Sequence, residues 1–311
     1  MINIAVLGTN FGKFHAKLFS RIKGAAVKTV YGRNTEKLAE IQNQLEVNTT
    51  TDLEDVLNNR SIDLVDICLP SELHRDFAIR CLDAKKHVFC ETPLAFSCQD
   101  AADMLNAAKR NNRNVFVDQF LKFSQPHKFA IDFVRNESGK PPVVFSCYNK
   151  TAPVWGDLSV GKSLLNFYIY NMDFMIEIMG YPEEVAACAL DQPEKSAIFG
   201  GYKYGDRIAS VTCLSNLPEN TPLQTGYQLI FEDRILSFSG SYGEKIEESV
   251  QVMEGPETRL VSLPGVDPYE GTFRHVIDCM SRNEKSNLID IETAMLSIRL
   301  IEETKIQIYK R

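Results

Sequence analysis

Apolar runs and helical periodicity alternate along the first 120 residues of the chain. The runs that predict β-strands are residues 2–7, 27–31, 64–69, 87–90 and 115–117, and the amphipathic stretches that predict helices are residues 14–22, 36–45, 73–84 and 98–111. Short strands rich in Val and Ile that alternate with helices of about 10 to 15 residues are typical of a parallel sheet covered on both faces. The pattern therefore predicts an α/β domain over residues 1–120.

The pattern changes in residues 121–311, where strands follow one another with short turns. The predicted helices are 126–135, 164–179, 269–282 and 290–308, and the predicted strands are 143–148, 185–190, 208–214, 226–231, 235–239, 250–253 and 258–263. Consecutive strands joined by short turns favour antiparallel pairing. We therefore predict a second α/β domain with a large, mainly antiparallel open sheet. With no low-complexity linker in the sequence, the two domains are expected to pack tightly and to meet at the active cleft.

A glycine turn lies between the first predicted strand and the first predicted helix. It reads Gly8, Thr9, Asn10, Phe11, Gly12, a G-x-x-x-G spacing that is shorter than the usual dinucleotide-binding pattern and lacks its middle glycine. In a Rossmann-like domain the pyrophosphate of a dinucleotide sits at this turn, because backbone N–H groups and the helix N-terminus point at the anion. A tight strand-to-helix turn without a ligand is the alternative.

The end of the second predicted strand bears on the choice of cofactor. It reads Tyr31, Gly32, Arg33, Asn34, and no acid occurs before Glu36. An acid at this place binds the ribose 2′-hydroxyl of NAD, whereas an arginine pairs with the 2′-phosphate of NADP. Arg33 therefore favours NADP, with NAD as the alternative, unless Arg33 is only a solvated arginine in a turn.

Composition excludes several classes of partner. The 311 residues carry a formal net charge of -7, which gives no basic field for nucleic acid or for an anionic membrane. The opening apolar run is too short for a signal peptide, and no run approaches the roughly 20 residues of a membrane span. The eight cysteines form no C-x-x-C pair, so we expect no metal site and no disulfide framework, and we expect reduced thiols in a cytoplasmic protein.

Two segments resemble a known family. Residues 63–74 read Asp-Leu-Val-Asp-Ile-Cys-Leu-Pro-Ser-Glu-Leu-His, and residues 86–93 read Lys-His-Val-Phe-Cys-Glu-Thr-Pro. They are similar to the Asp-x-Val-x-Ile-x-x-Pro-x-x-x-His and Gly-Lys-His-Val-x-x-Glu-Lys-Pro stretches of the Gfo/Idh/MocA family of oxidoreductases. The resemblance extends along nearly the whole chain, including the final Asp-Ile-Glu-Thr-Ala helix.

The resemblance implies roles for five residues. Pro70, Ser71 and His74 would line the cofactor near its nicotinamide half, Glu91 would contact its ribose, and Pro93 would follow a cis peptide bond beside the nicotinamide. The alternatives are ordinary, since His74 is also a plausible helix-start residue and residues 91–93 a plausible strand exit.

The catalytic positions depart from the family pattern. Most members have a lysine between the glutamate and the proline, where this chain has Thr92, and an aspartate and a histidine where this chain has Asn166 and Tyr170. Tyrosine in place of histidine is known in the glucose-fructose oxidoreductase and dihydrodiol dehydrogenase branches, although those branches keep the lysine. A phenol with a pKa near 10 needs a nearby cation to act near neutrality, and Lys122 and Lys162 are candidates for that cation.

Two functions remain open on these residues. The first is an NAD(P)-dependent oxidoreductase that transfers hydride between the nicotinamide and a sugar, polyol or related carbonyl compound, with Tyr170 as acid/base and with Asn166 and Thr92 holding the substrate oxygen. Weaker candidates for substrate contacts are Gln119, Lys122, Trp155 and Lys162. The second is a catalytically inactive homologue that binds a nucleotide or sugar as a sensor or regulator. The resemblance also implies a homodimer or homotetramer formed through the C-terminal sheet.

Overall fold

The computed structural model describes residues 1–152, 160–163, 167–192, 195–215 and 217–310. Contacts between Cα atoms divide the chain into two compact units. Unit 1 comprises Met1–Phe120 and Asp267–Met295, and unit 2 comprises Leu121–Val266 and Leu296–Arg311. Unit 1 is therefore built from two separate stretches of chain, whereas the predicted domains, 1–120 and 121–311, are each continuous. The predicted α/β fold class is confirmed, with one sheet in each unit.

Unit 1 contains a six-stranded sheet in the order β3-β2-β1-β4-β5-β6. All five strand pairs are parallel. The strands are β1 Ile2–Leu7, β2 Ala25–Tyr31, β3 Asn48–Thr50, β4 Leu64–Ile67, β5 His87–Cys90 and β6 Val115–Val117. The chain adds strands outward from β1 to β3 and then crosses back to place β4 on the other side of β1. In sheets of this kind, ligands bind outside the carboxyl ends of the strands where the strand order reverses, which is here between β1 and β4.

Six helices accompany this sheet in the described part of unit 1. They are α1 Phe11–Phe19, α2 Thr35–Leu45, α3 Glu54–Leu57, α4 His74–Asp83, α5 Cys98–Asn111 and α9 Pro268–Arg282. Side-chain caps define where α2 and α5 begin. Asn34 accepts a hydrogen bond from the backbone N–H of Lys37, and Ser97 accepts one from the backbone N–H of Asp100. Helix α1 begins three residues earlier than the periodicity predicts, since the helix continues directly from the glycine turn.

Unit 2 contains an eight-stranded sheet in the order β14-β13-β12-β11-β7-β10-β9-β8. The strands are β7 Val144–Thr151, β8 Glu184–Gln192, β9 Lys195–Tyr204, β10 Arg207–Ser215, β11 Leu223–Ile230, β12 Arg234–Tyr242, β13 Ile246–Glu254 and β14 Glu257–Val261. All neighbours are antiparallel except β7 and β10, which run parallel. The mainly antiparallel sheet predicted for the second half is confirmed.

Unit 2 contains three helices within its described residues, besides the end of the last helix of the chain. They are α6 Gln125–Asp132, which continues as a π-helical stretch over Phe133–Ser138, α7 Val160–Ser163 and α8 Ile169–Met179. The last helix, α10 Ile291–Tyr309, starts in unit 1 and ends in unit 2. Among the residues that the model describes, no helix is both long and apolar enough to cross a membrane.

Strand β9 was missed by the sequence analysis because Gly200 and Gly201 break its apolar pattern. The tertiary structure explains the first of these glycines. A Cβ atom on Gly200 would lie 2.0 Å from the Tyr168 hydroxyl oxygen and 2.6 Å from that of Tyr202. The strand therefore has a glycine at this point because two buried phenols occupy the space that a side chain would take.

Replacing Gly200 by alanine should destabilise the protein by about 1 to 3 kcal/mol, the usual cost of overpacking a filled core. Gly201→Ala is the matched control, since a Cβ there would meet its nearest atom, the Ala186 carbonyl oxygen, at 3.9 Å. Urea unfolding followed by circular dichroism measures both variants. Equal stability of the two variants would contradict this account of Gly200.

Candidate functional site

The glycine turn after β1 is shaped by a close approach to β4. Gly8 has a φ of +127°, and a Cβ atom there would lie 2.5 Å from the carbonyl oxygen of Cys68. The Gly8 N–H donates to the Tyr31 carbonyl oxygen at 2.9 Å, which ties the turn to the end of β2. The turn leads directly into α1, whose first turn contains no acidic side chain. The amino end of α1 therefore presents backbone N–H groups to an anion, and its first turn has no acidic side chain that would repel the anion.

The carboxyl end of β2 lies beside the same turn. A Cβ atom on Gly32 would lie 2.3 Å from the Thr9 side chain, so these two segments touch. Arg33, the next residue, is exposed, and Lys37 in α2 donates from Nζ to the Asn10 side-chain oxygen at 2.5 Å. Two cations thus lie close to the turn. The sequence analysis singled out only Arg33, although the position of Lys37 one helical turn later was a signal for it.

Three residues after β4 were expected to face a cofactor. Pro70 is exposed and Ser71 half-buried, so both are accessible. His74 is 1% exposed, with Nδ1 2.9 Å from the Pro93 carbonyl oxygen and Nε2 2.8 Å from that of Leu69. His74 therefore joins two loops through backbone oxygens, and we infer that it positions these loops rather than presenting a free ring edge.

The exit of β5 holds the second predicted segment. The Thr92–Pro93 peptide bond is cis, as the resemblance implies. The Thr92 hydroxyl donates to the Asp118 carbonyl oxygen at 2.8 Å, which fastens the exit of β5 to the exit of β6. Its donor hydrogen is thus used within the protein, and only its oxygen lone pairs remain for a substrate. Gln119, one residue beyond Asp118, is 5% exposed.

Beneath these loops lies a buried polar cluster that the sequence analysis missed. His15 in α1 is 0% exposed, with Nδ1 3.0 Å from Asp66 Oδ2 and Nε2 2.9 Å from Glu91 Oε1. Asp118 Oδ2 lies 3.8 Å from Nε2, and Cys68 Sγ lies 3.2 Å from Nδ1. The signal in the sequence was the position of three acids inside or directly after buried strands, where an acid needs a partner.

Burial and neighbouring charges set the protonation of this cluster. Burial disfavours the charged form of His15, but Cys68 and Asp66 outweigh it and raise the pKa of His15 well above 6.5. Burial also raises the pKa of the Cys68 thiol, so the negative charge beside the ring is that of Asp66. Burial and the nearby Glu91 carboxylate raise the pKa of Asp118 well above 3.8. Among the acids of the cluster, Asp118 is therefore the one whose carboxyl group most readily stays protonated.

Unit 2 holds the predicted catalytic tyrosine. Tyr170 in α8 is half-buried and lines a small pocket, whose other residues are Leu121, Lys122, His127, Ile131, Asp173, Phe174 and Glu177. The Lys122 ammonium is buried, 3.5 Å from Asp173 Oδ1 and 3.9 Å from Glu177 Oε2. Lys122 thus supplies a cation to the pocket of Tyr170, although two carboxylates share it.

The aromatic face of α8 divides between core and pocket. Tyr168, just before the helix, is completely buried, and its hydroxyl lies 3.0 Å from that of Tyr202. Phe174 is buried against His127 and Tyr227. Tyr168 therefore packs in the core, while Tyr170 lines the pocket. Of the other predicted residues, Trp155, Asn166 and the side chain of Lys162 lie outside the described residues.

Comparison with known proteins agrees with the fold of unit 1. Residues 2–119 match the model of an oxidoreductase family with an NAD-binding Rossmann fold. The myo-inositol 2-dehydrogenase of Thermotoga maritima is 29% identical over 189 residues, which are 59% of this chain and 56% of that protein. The chain spans between about a third and just over half the length of the curated relatives that it matches.

Solved structures are similar over the whole chain. An oxidoreductase from Agrobacterium radiobacter, in complex with NAD+, L-tartaric acid and magnesium, has a TM-score of 0.82 at 14% identity, over 100% of this chain and 97% of that one. A biliverdin reductase from Synechocystis, in complex with biliverdin and NADP+, has a TM-score of 0.82 at 16% identity, over 99% of both chains. At these identities the likeness shows a common fold.

Asp118→Asn should make the stability of the protein less sensitive to pH. Because the pKa of Asp118 is raised in the folded state, the folded protein holds a proton that the unfolded chain releases above about pH 4, and stability falls as pH rises. Asparagine is neutral at every pH, so the slope of unfolding free energy against pH should flatten by up to about 1.4 kcal/mol per pH unit.

Urea unfolding between about pH 5 and about pH 8 measures this slope. Asp278→Asn is the control, because Asp278 is an exposed carboxylate on α9 of the same unit. An unchanged slope in Asp118→Asn would show that Asp118 is ionised in the folded protein.

Proposed function

We propose that the chain is a member of the Gfo/Idh/MocA family of oxidoreductases, whose family model matches residues 2–119, and that it is an NAD(P)-dependent oxidoreductase acting on a sugar, a polyol or a related carbonyl compound. The observation that carries the proposal is the glycine turn at the reversal point of the parallel sheet, where the amino end of α1 and two cations converge. The names of the relatives, an inositol dehydrogenase and a biliverdin reductase among them, support hydride transfer to or from a carbon bearing oxygen or in a conjugated system.

The residues of unit 1 fit a dinucleotide along the carboxyl edge of the sheet. The turn residues that would hold the pyrophosphate are Gly8, Thr9, Asn10, Phe11 and Gly12. Pro70, Ser71, Glu91 and Pro93 would hold the nicotinamide half, with His74 positioning the loops that carry them. When bound, the cofactor supplies or accepts the hydride, while the protein provides binding and orientation.

NADP fits the adenosine end better than NAD. Arg33 is exposed beside the turn, Lys37 lies one helical turn further on, and no acid to bind a ribose 2′-hydroxyl occurs between the end of β2 and Glu36. A guanidinium pairs with a 2′-phosphate through charge-assisted hydrogen bonds, which a 2′-hydroxyl does not match.

In unit 2, Tyr170 is the group that would exchange a proton with the substrate oxygen. Its phenol lines the same pocket as the buried Lys122 ammonium, and a neighbouring cation favours the phenolate form of a tyrosine. The Asp173 carboxylate fixes Lys122 in place and weakens its field, so Lys122 acts partly as a positioning residue. Asn166, a predicted residue of the same unit, would hold the substrate oxygen by a hydrogen bond without supplying the charge of the missing lysine.

The exposed face of the unit 2 sheet would form the contact between copies of this chain. Leu190, Phe199 and Ile208 lie on strands β8, β9 and β10, and each is about half exposed. Apolar side chains grouped on one sheet face are typical of a subunit contact, which supports a homodimer or homotetramer. The eight free cysteine thiols support a cytoplasmic location, since thiols stay reduced in that compartment.

Arg33→Ala should weaken NADPH binding on the order of tenfold and leave NADH binding unchanged, because only NADPH carries the 2′-phosphate. Isothermal titration calorimetry with each cofactor measures the two affinities. Arg60→Ala is the matched control, since Arg60 is an exposed arginine near the amino end of β4, at the opposite edge of the sheet. Absence of binding of either cofactor at millimolar concentration would overturn the redox proposal.

Tyr170→Phe should lower kcat by about 10² to 10⁴-fold with little change in KM, the usual effect of removing a general acid or base. The substrate is first identified by following NADPH absorbance with a panel of sugars, polyols and carbonyl compounds. Tyr242→Phe is the control, because the Tyr242 hydroxyl donates to Glu248 on the neighbouring strand β13. An unchanged kcat in Tyr170→Phe would exclude Tyr170 as the proton donor, and cofactor binding without turnover of any compound would favour the inactive homologue.

A further inference from the structure

The buried cluster under the exit loops of unit 1 combines groups from four elements. His15 comes from α1, Asp66 from β4 and Cys68 from its exit, Glu91 from the exit of β5 and Asp118 from the exit of β6. His15 and Asp66 are 0% exposed, whereas the side chain of Glu91 is 15% exposed and thus reaches toward the surface. The cluster therefore connects a completely buried histidine to an accessible carboxylate that is expected to meet the cofactor.

The contacts around His15 favour a positively charged ring. Carboxylate oxygens lie 3.0 Å from Nδ1 and 2.9 Å from Nε2. A neutral imidazole has one N–H and one lone pair, so one of these oxygens would face a lone pair in a medium of low polarity. An imidazolium donates from Nδ1 to Asp66 and places its positive charge in ion-pair contact with Glu91 Oε1, although Nε2 and Oε1 do not form a hydrogen bond. Histidine and carboxylates are also residue types that bind metal ions, and a bound metal is one outcome of the test below.

The charge balance of the cluster agrees with this assignment. Within the described part of the chain, His15 is the cation in ion-pair contact with Asp66, Glu91 and Asp118. Neither oxygen of Asp118 has a hydrogen-bond partner, and both are buried. With Asp118 protonated and His15 charged, the one cation of the cluster lies between the side chains of Asp66 and Glu91.

We propose that His15 is a buried imidazolium that positions the Glu91 carboxylate for dinucleotide binding, so that binding of the dinucleotide depends on a proton held at His15. The proposal rests on the proposed cofactor function. Asp66 orients the ring from the far side, as an outer carboxylate does for a histidine in a catalytic or binding site. His15 is a positioning residue, since it acts on the dinucleotide only through Glu91.

The other groups around His15 neither supply nor remove charge near neutrality. The rings of Phe11, Phe14, Phe89 and Phe273 surround it with centroids 4.7 to 6.0 Å away. Tyr269 in α9 is the remaining titratable neighbour, and burial raises the pKa of its phenol, which keeps it neutral. The proton at His15 is therefore governed by its contacts with Cys68 and Asp66, with Asp118 as a neutral neighbour.

The sign of the pH dependence follows from the raised pKa of His15. The imidazolium is complete at and below pH 6.5 and is lost as pH rises through its higher pKa in the folded state. Above that pKa, Glu91 faces a neutral ring and keeps the hydrogen bond that its Oε2 accepts from the Thr92 N–H but loses the ion pair with His15. NADPH affinity should thus be constant near neutrality and should fall at alkaline pH, by up to about tenfold for each pH unit if one proton is linked to binding.

Nitrogen NMR of the histidine rings tests the protonation without any ligand. We expect His15 to show two protonated nitrogens at about pH 8, where an ordinary histidine with a pKa near 6.5 is neutral. A neutral His15 ring at this pH would overturn the proposal. Because no cofactor is present, this result is independent of whether the protein binds a dinucleotide.

Calorimetric titration with NADPH tests the link to binding. Asp66→Asn keeps the shape and the acceptor beside Nδ1 but removes its charge, so the alkaline loss of affinity should move to lower pH by about one unit or more. His15→Gln should bind more weakly near neutrality, with the alkaline loss of affinity removed. His87→Gln is the matched control, because burial lowers the pKa of His87 to about 4 and its ring carries no charge in this range.

Three results would count against the proposal. The first is an alkaline loss of NADPH affinity at the same pH in Asp66→Asn and in the wild type. The second is an alkaline loss of NADPH affinity that persists in His15→Gln. The third is a stoichiometric divalent metal in the purified protein whose removal abolishes the pH dependence. Failure of the wild type to bind NADPH would instead overturn the cofactor function, with the NMR result still deciding the state of His15.

Discussion

The close approach of the β1–α1 turn to β4 is the constraint on which the arrangement of unit 1 depends. Gly8 passes so near the Cys68 carbonyl oxygen that any side chain would overlap it at 2.5 Å. This contact sets α1 directly above the carboxyl ends of β1 and β4, where its amino end points to the edge of the sheet. It also brings His15, on the buried side of α1, level with Asp66. The glycine turn and the buried cluster are thus two consequences of one backbone contact.

The cluster places charged groups in the protein interior, where burial disfavours the charged form. Three acids lie inside or just after β4, β5 and β6, and one histidine offsets them. Removing one partner from such a group leaves an uncompensated buried charge, which costs several kcal/mol. This cost explains why protons, at His15 and at Asp118, are part of the folded structure. It also makes the exit of β5, with Glu91 and Thr92, a rigid platform, because Glu91 contacts His15 and Thr92 is bonded to the Asp118 carbonyl.

Unit 2 shows how two tyrosines at the start of α8 take different places, one in the core and one in a pocket. Tyr168 and Tyr170 are two residues apart, so they point to different sides of the helix. Tyr168 enters the core, where its hydroxyl meets Tyr202 and excludes any side chain at Gly200. Tyr170 remains beside the buried Lys122. The packing of Tyr168 thereby fixes the rotation of α8 that holds Tyr170 in the pocket.

The sequence by itself determined the two sheets, nearly all of their strands and the glycine turn, because hydrophobic period and turn chemistry are local properties of the chain. It also pointed to Arg33 and, through the family resemblance, to Glu91 and the cis Thr92–Pro93 bond. Only the tertiary structure brought His15, Asp66, Cys68 and Asp118 together, since they lie on separate elements and none of them stands in a motif. Likewise, strand β9 and the partner of Lys122 depended on side chains distant in sequence. Contacts of this kind arise from packing in three dimensions, and neither periodicity nor spacing along the chain encodes them.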